Sequence, residues 1–337
     1  MKKVNIKALA QELNLSSSTI SKALRDSYEI SAATKQRVLE MAARLQYTPN
    51  AYASSLRGKK SKNIAVIIPE VADSFFSLAI NGIEAAVKVK GYHVLIYLTH
   101  ESFAAESAIM KEFYSGRVDG VLMSVSRETT DGQHIRQLMA QDIPVVFFDR
   151  ALEELPVAKV LTDDYHSGYT AARHLIQNGC RRIAFLGMSE TLSISHHRRA
   201  GYQHALQEYG LAATRKNMIS CTADPAVNYK LVKKLLQQAT PPDGIVASME
   251  KLTTTVYQVC QALQLRMPAD VKLVCFSNLE IATILQPSLT TITQPAFEMG
   301  KTAAELLLRQ LEKKPVRQAE AVIIPSELVI RDSTKKS

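Results

Sequence analysis

The chain has 337 residues, 46% hydrophobic and 22% charged, which is the length of two or three domains and the composition of a soluble globular protein. No apolar run approaches the roughly 20 residues that span a bilayer. The opening MKKVNIKALAQELNL lacks the continuous apolar core of a signal peptide, so a cytoplasmic protein without a membrane segment is expected. Charge is unevenly spread: residues 1–62 carry twelve Lys and Arg against four acids, a net of +8 out of +9, leaving 29 bases and 28 acids for the rest. A basic head on a nearly neutral body is the electrostatic footprint of a nucleic-acid-binding domain joined to something else.

Residues 1–48 have the pattern of a compact set of helices. Ile6, Leu9, Ala10 and Leu13 recur at helical spacing after Asn5, a capping residue. Asn14 ends that helix, because Asn tolerates the left-handed turn a tight helix–helix joint needs. A second helix carries Ile20, Ala23 and Leu24 inward. A third runs from Ser31 to Leu45 with Val38, Leu39, Ala42 and Leu45 facing in. Residues 49–62 form a linker: Pro49 stops the third helix, and the stretch before Gly58 is too short to be a stable helix alone.

Residues 63–337 alternate apolar β runs at 64–68, 93–98, 120–123, 145–148, 182–186, 244–247 and 272–276 with helical patterns at 77–90, 166–177, 199–209 and 295–311. Continuous β-branched runs separated by helices predict parallel sheets covered on both faces. The number of units points to two doubly wound subdomains with a cleft between them, and ligands in such folds lie beyond the carboxyl ends of the strands. Cys180, Cys221, Cys260 and Cys275 form no CxxC pair and match no zinc spacing, so they read as reduced core thiols; no metal or cofactor is expected.

The second helix opens Ser16-Ser17-Ser18-Thr19-Ile20-Ser21-Lys22, a row of hydroxyls and a base at a helix N-terminus. Free N–H groups and the helix dipole suit a phosphate there, and Lys22 one turn on can reach a guanine edge. A serine-rich cap with a solvated face has the same composition, so residue types alone leave both readings open. The run from Asn5 to Leu24, continued by Ile30-Ser31-Ala32-Ala33-Thr34-Lys35 and by Tyr47-Thr48-Pro49-Asn50-Ala51-Tyr52-Ala53-Ser54-Ser55-Leu56-Arg57, is similar to the helix-turn-helix and hinge signature of the LacI/GalR family of bacterial repressors. The resemblance covers essentially the whole chain. It implies an all-α helix-turn-helix domain at 1–48, a hinge helix at 49–62, and an α/β periplasmic-binding-protein-like core of two doubly wound parallel-sheet subdomains at 63–337. The subdomains would be about 63–161 with 294–324, and about 162–293 with 325–337.

By that resemblance Ser17, Ser18 and Lys22 read bases in the major groove, while Ser16, Thr19, Ser21 and Arg25 hold phosphates. Asn50 and Ala53 belong to the hinge helix beside the minor groove, and Leu56 is the apolar wedge in a central base step, a device that trades unstacking for a kinked duplex. Arg25 stands where the family commonly has Asn, and Asn14 where it commonly has Gly. In the body, Asp73-Ser74-Phe75-Phe76 resembles the loop that lines the effector cleft, Phe148-Asp149-Arg150 the end of a cleft strand, and Arg198-Arg199-Ala200-Gly201-Tyr202 the segment carrying the effector-anchoring arginine, Arg198. Met249-Glu250 and Phe276-Ser277-Asn278 depart from the family's polar pattern, so Met249 and Ser277 take the places of groups that pair with sugar hydroxyls. That departure leaves three alternatives: a less polar or anionic ligand, a sugar phosphate held by Arg198, or no small effector.

The implied partners are double-stranded operator DNA, a small-molecule effector (a sugar, sugar phosphate or other metabolite) and a second copy of the chain in a homodimer or higher assembly. A periplasmic solute-binding protein shares the body but not the basic head. An enzyme is disfavoured, with no Gly-x-Ser-x-Gly elbow, no Walker loop and no His-Glu-x-x-His; Gly187-Met188-Ser189-Glu190-Thr191 lacks the second glycine. His196-His197 is read as two loop histidines pointing apart, not as a metal site.

Overall fold

The computed structural model describes residues 5–24, 26–47, 61–188, 191–314 and 319–335. The chain divides into two compact units, Met1–Ser61 and Lys62–Ser337.

In the first unit, α1 (Ile6–Leu13), α2 (Ser17–Ala23) and α3 (Ala32–Arg44) enclose a core of Leu9, Leu13, Ile20, Ala23, Val38 and Ala42. Each helix starts on a side-chain cap: Asn5 accepts from the Ala8 amide, Ser16 from Thr19 and Ser31 from Thr34. Asn14 closes α1 in the left-handed region at φ 55°. Leu39, expected inside, is 50% exposed. One residue on from Val38 it has turned away from the core, and Met41 joins the expected Leu45 in completing the packing.

The second unit begins with β1 (Asn63–Ile68), α4 (Ser74–Lys88), β2 (His93–Leu98), α5 (Phe103–Phe113), β3 (Gly120–Met123), α6 (Gln133–Met139), β4 (Val145–Phe148) and β5 (Ala158–Thr162). It continues through α7 (Asp164–Gln177), β6 (Ile183–Gly187), α8 (Ser193–Glu208), β7 (Met218–Ser220), α9 (Pro225–Leu236), β8 (Gly244–Ala247), α10 (Leu252–Ala262) and β9 (Lys272–Phe276). It ends with β10 (Thr290–Thr293), α11 (Ala296–Leu311), β11 (Ala321–Ile324) and β12 (Glu327–Val329). Two sheets result, ordered β11-β5-β4-β3-β1-β2 and β12-β10-β9-β8-β6-β7. Among the described residues only the β10–β12 pair is antiparallel.

Period-2 alternation explains why both faces are covered. On β1, Ile64, Val66 and Ile68 enter one core with α4 and α11, while Ala65 and Ile67 enter another with α5 and α6. On β6, Ala184 and Leu186 face α9 and α10, and Ile183 and Phe185 face α7 and α8. The chain crosses between the sheets after β5, after β10 and after β11.

The apolar runs marked seven strands and missed five. β10 is Thr-Thr-Ile-Thr, polar in composition yet interior to its sheet. β7, β11 and β12 are edge strands of three or four residues, too short for a periodic signal, and β5 carries a lysine as its second residue. Helix α8 begins at Ser193, ahead of the expected position near 199. His196 and His197 are therefore helical, not in a loop; His196 meets Arg199 and His197 meets Glu153. All four cysteines are buried and free.

Two helix pairs touch backbone to backbone. A Cβ on Gly82 of α4 would lie 2.0 Å from the Phe297 carbonyl oxygen of α11, and one on Gly201 of α8 1.9 Å from that of Tyr165 on α7. Glycine is required at both positions by this close approach.

One buried acid anchors the first subdomain. Glu106 of α5 is fully buried and accepts from the Ser126 amide, the Thr129 hydroxyl and the His134 ring, each at 2.8 Å. Burial raises its pKa, but the bonds from His134, Ser126 and Thr129 outweigh it and the net shift is downward. A depressed folded pKa means stabilisation that is full above the unfolded value of about 4.3 and fades as pH falls through the folded value. Glu106→Gln should therefore cost about 2 kcal/mol or more at pH 7 in urea unfolding, and its deficit against the parent protein should narrow near pH 3. An undiminished gap at low pH would disprove the ionised role.

Candidate functional site

In the first unit the candidate surface is the outer side of α2. Ile20 and Ala23 point inward, which leaves Ser17, Ser18, Ser21 and Lys22 as i, i+4 neighbours on the outer face. Ser16 and Thr19 are brought together: their hydroxyls lie 2.9 Å apart while Ser16 Oγ also accepts the Thr19 amide at 3.0 Å. One hydroxyl proton of the pair therefore remains for an outside acceptor. Lys22 forms an ion pair with Glu29, and Lys35 pairs with Asp26 at 2.7 Å. Both are surface pairs, worth about 0–1 kcal/mol, so a phosphate or base edge can exchange for them. Arg25, Asn50, Ala53 and Leu56 lie outside the described residues.

In the second unit the candidate site is the cleft between the two sheets, at the carboxyl ends of β1, β4, β8 and β9. It is lined by Asp73, Phe75, Phe76, Asp149, Arg150, Ile194, Arg198, Met249, Glu250, Phe276, Ser277, Asn278 and Gln294, and it encloses about 30 Å³. All six residues singled out for the effector (Phe75, Phe76, Asp149, Arg198, Met249 and Ser277) line this one cavity. Phe75 and Phe76 meet edge to face at 5.3 Å and Phe76 meets Phe148 at 6.3 Å, forming an apolar wall.

Arg198 is 3% exposed. Its Nε donates to Asp164 Oδ1 at 2.6 Å, one Nη donates to the Ser248 carbonyl at 2.7 Å, and its guanidinium carbon stands 4.2 Å from the Phe276 ring centre. Nη2 has no hydrogen-bond partner among the described residues. Gly168 on α7 makes this placement possible, since a Cβ there would lie 2.1 Å from the Arg198 carbonyl oxygen. Across the cleft Arg150 holds Glu101 with two bonds of 3.0 Å. Asp149 sits between the two arginines, buried, with weak bonds from Ser124 at 3.3 Å and Gln294 at 3.4 Å. Burial pushes its carboxyl up to about 6 against the pull of Arg150 and then Arg198.

The first 50 residues and the body each match a known family. Residues 5–50 match the model described as bacterial regulatory proteins, lacI family, and residues 172–334 match the periplasmic binding protein-like domain. The chain belongs to the LacI family of bacterial transcriptional regulators. Among its relatives is the HTH-type transcriptional repressor CytR of Escherichia coli (strain K12), 28% identical over 330 residues that cover 98% of this chain and 96% of that protein. A lac repressor dimer bound to operator shares the fold with a TM-score of 0.87 at 21% identity, over 99% of both chains. A LacI family regulator from Enterococcus faecium with bound ribose matches 81% of this chain and 98% of its own, with a TM-score of 0.71 and 26% identity. This LacI-family chain is accordingly a DNA-binding transcriptional regulator.

The cleft corrects part of the reading made from residue types. Met249 and Ser277 stand where the resemblance expects polar groups, yet the site keeps polarity beside them, because Glu250 and Asn278 also line the cavity. Asp73, Arg150, Ile194 and Gln294 were also missed as site residues. Glu250 and Asn278 had a visible signal, since each adjoins a departing position, whereas Gln294 is brought in only by the crossover from β10. Arg198 is less available to an anion than the family match suggested, because Asp164 already balances its charge. A sugar phosphate held by Arg198 alone therefore has weak support.

The pairing also fixes what its removal does. Arg198→Ala would leave Asp164, 5% exposed, buried without its cation. The expected cost is about 3–5 kcal/mol, seen as a lowered thermal midpoint of the body with the head's DNA-binding helices intact by circular dichroism. An unchanged midpoint would show that the pair contributes nothing net.

Proposed function

We propose that the chain is a cytoplasmic, homodimeric repressor that reads a near-palindromic operator and responds to a small-molecule effector in the body cleft. The reading helix and phosphate contacts would come from 1–48, the minor-groove wedge from 49–62, and effector binding and dimerisation from 63–337. The observation that carries this reading is the outward face of α2, with Ser17, Ser18, Ser21 and Lys22 clear of the core on a head that holds nearly all the excess positive charge. CytR as a repressor supports the sign of regulation, and the lac repressor dimer on its operator supports the assembly. The ribose-bound regulator supports a polar metabolite in the cleft. The relatives are regulators, which supports a non-catalytic role.

A second reading, the same regulator without a small effector, is favoured by the small cavity of about 30 Å³. That is room for one or two waters, not for a sugar ring, unless the subdomains move apart. A thermal-shift screen of sugars, sugar phosphates and nucleobases separates the two, since a ligand of the native state raises its midpoint.

On DNA selected from a random-sequence pool, log Kd should rise with log salt at a slope of several units, near 0.9 per phosphate contacted. Lys22→Ala should weaken the selected site by about 1–3 kcal/mol and random DNA far less. Equal losses on both would remove Lys22 from base recognition.

A further inference from the structure

The cleft is closed by its own residues. Glu250 lies between β8 and α10, in the second subdomain, yet one carboxylate oxygen accepts the Ser74 amide of the first subdomain at 3.1 Å. The other accepts the Asn278 amide at 2.9 Å and the Ser277 hydroxyl at 3.1 Å. The Ser74 amide is the first of α4, a helix of 15 residues capped by Asp73, so the helix dipole also favours negative charge there. Three converging donors, two of them backbone amides, make an acceptor cradle at the carboxyl ends of the strands, where ligands of this architecture sit. Lys251 reinforces the closure from the rim by pairing with Glu70 at 2.5 Å, and Thr191 donates to the Arg127 carbonyl at 2.8 Å on the facing lip. The arrangement holds against a nearby like charge, for Asp73 lies part-buried near Glu250 and its pKa is raised first by desolvation and then by that carboxylate.

We propose that Glu250 is a built-in ligand of the cleft: its carboxylate fills a three-donor cradle and holds the two subdomains shut with no added molecule. An effector then acts by displacing it, and the group that replaces it is a carboxylate or another strong acceptor. This rests on reading the cleft as the effector site. It gives Met249-Glu250 a purpose: the loop presents an internal acid where a ligand group would otherwise meet Ser74, Ser277 and Asn278.

The test needs no effector. Ile194 is 4% exposed and lines the cleft, and the native thiols are buried, so Ile194→Cys places one reporter thiol behind the closed lips. In the full-length protein its labelling by a small aromatic disulfide should be slow. Adding Glu250→Ala should raise the rate at least about tenfold, as two or three charge-assisted bonds are lost. Glu250→Gln, which keeps an acceptor oxygen but no charge, should fall between. Tens of millimolar acetate, against chloride of equal ionic strength, should restore slow labelling in Glu250→Ala and change nothing while Glu250 is present. Lys251→Ala should speed labelling less than Glu250→Ala, its pair being half-exposed. Fast labelling with Glu250 in place, no acceleration in a folded Glu250→Ala protein, or no rescue by acetate overturns the proposal. Each of these failures leaves the effector reading to stand or fall on the ligand screen.

Discussion

The body is organised around one buried cation. Arg198 ties the first turn of α7 through Asp164, the end of β8 through the Ser248 carbonyl, and the end of β9 through the Phe276 ring. A guanidinium out of water is tolerated only when its charge is met, which Asp164 does even though Nη2 has no partner among the described residues, and these three contacts come from three separate elements. The α7–α8 pair must therefore approach at backbone distance, which is the reason glycine stands at 168 and 201. The cleft floor is thus built on an ion pair whose arginine also lines the cavity.

That buried pair shapes what regulation can look like. The lips are held by weaker and more exposed contacts, such as Lys251 with Glu70 and Thr191 with Arg127, around the Glu250 cradle. A deep fixed pair with a shallow breakable rim is what a hinge-closing protein requires, since a ligand shifts such an equilibrium only by its differential contacts with the two states. Asp149, with a pKa near 6 between two arginines, adds a group whose charge depends on whether the cleft is dry.

The head follows a different economy. Its core is small, its helices are fixed by three side-chain caps, and its surface carries hydroxyls and lysines held in ion pairs of small net worth. DNA supplies the counter-charge that this surface lacks.

By itself the sequence determined the cap at Asn5, the left-handed stop at Asn14, most of the head's inward row and the family, because each is a short-range pattern or a contiguous motif. The family resemblance, carried by short contiguous motifs, also assigned Phe75, Phe76, Asp149, Arg198, Met249 and Ser277 to one cleft, and all six line one cavity. It passed over β10, whose threonines are buried by neighbouring strands and not by their own hydrophobicity, and it placed Leu39 inside because a one-residue rotation is invisible to composition. Only the tertiary structure decided that Asp164 neutralises Arg198 and that Glu250 meets Ser74 from 176 residues away, for the first depends on how two helices pack and the second on how two subdomains close, and neither leaves a local trace in the chain.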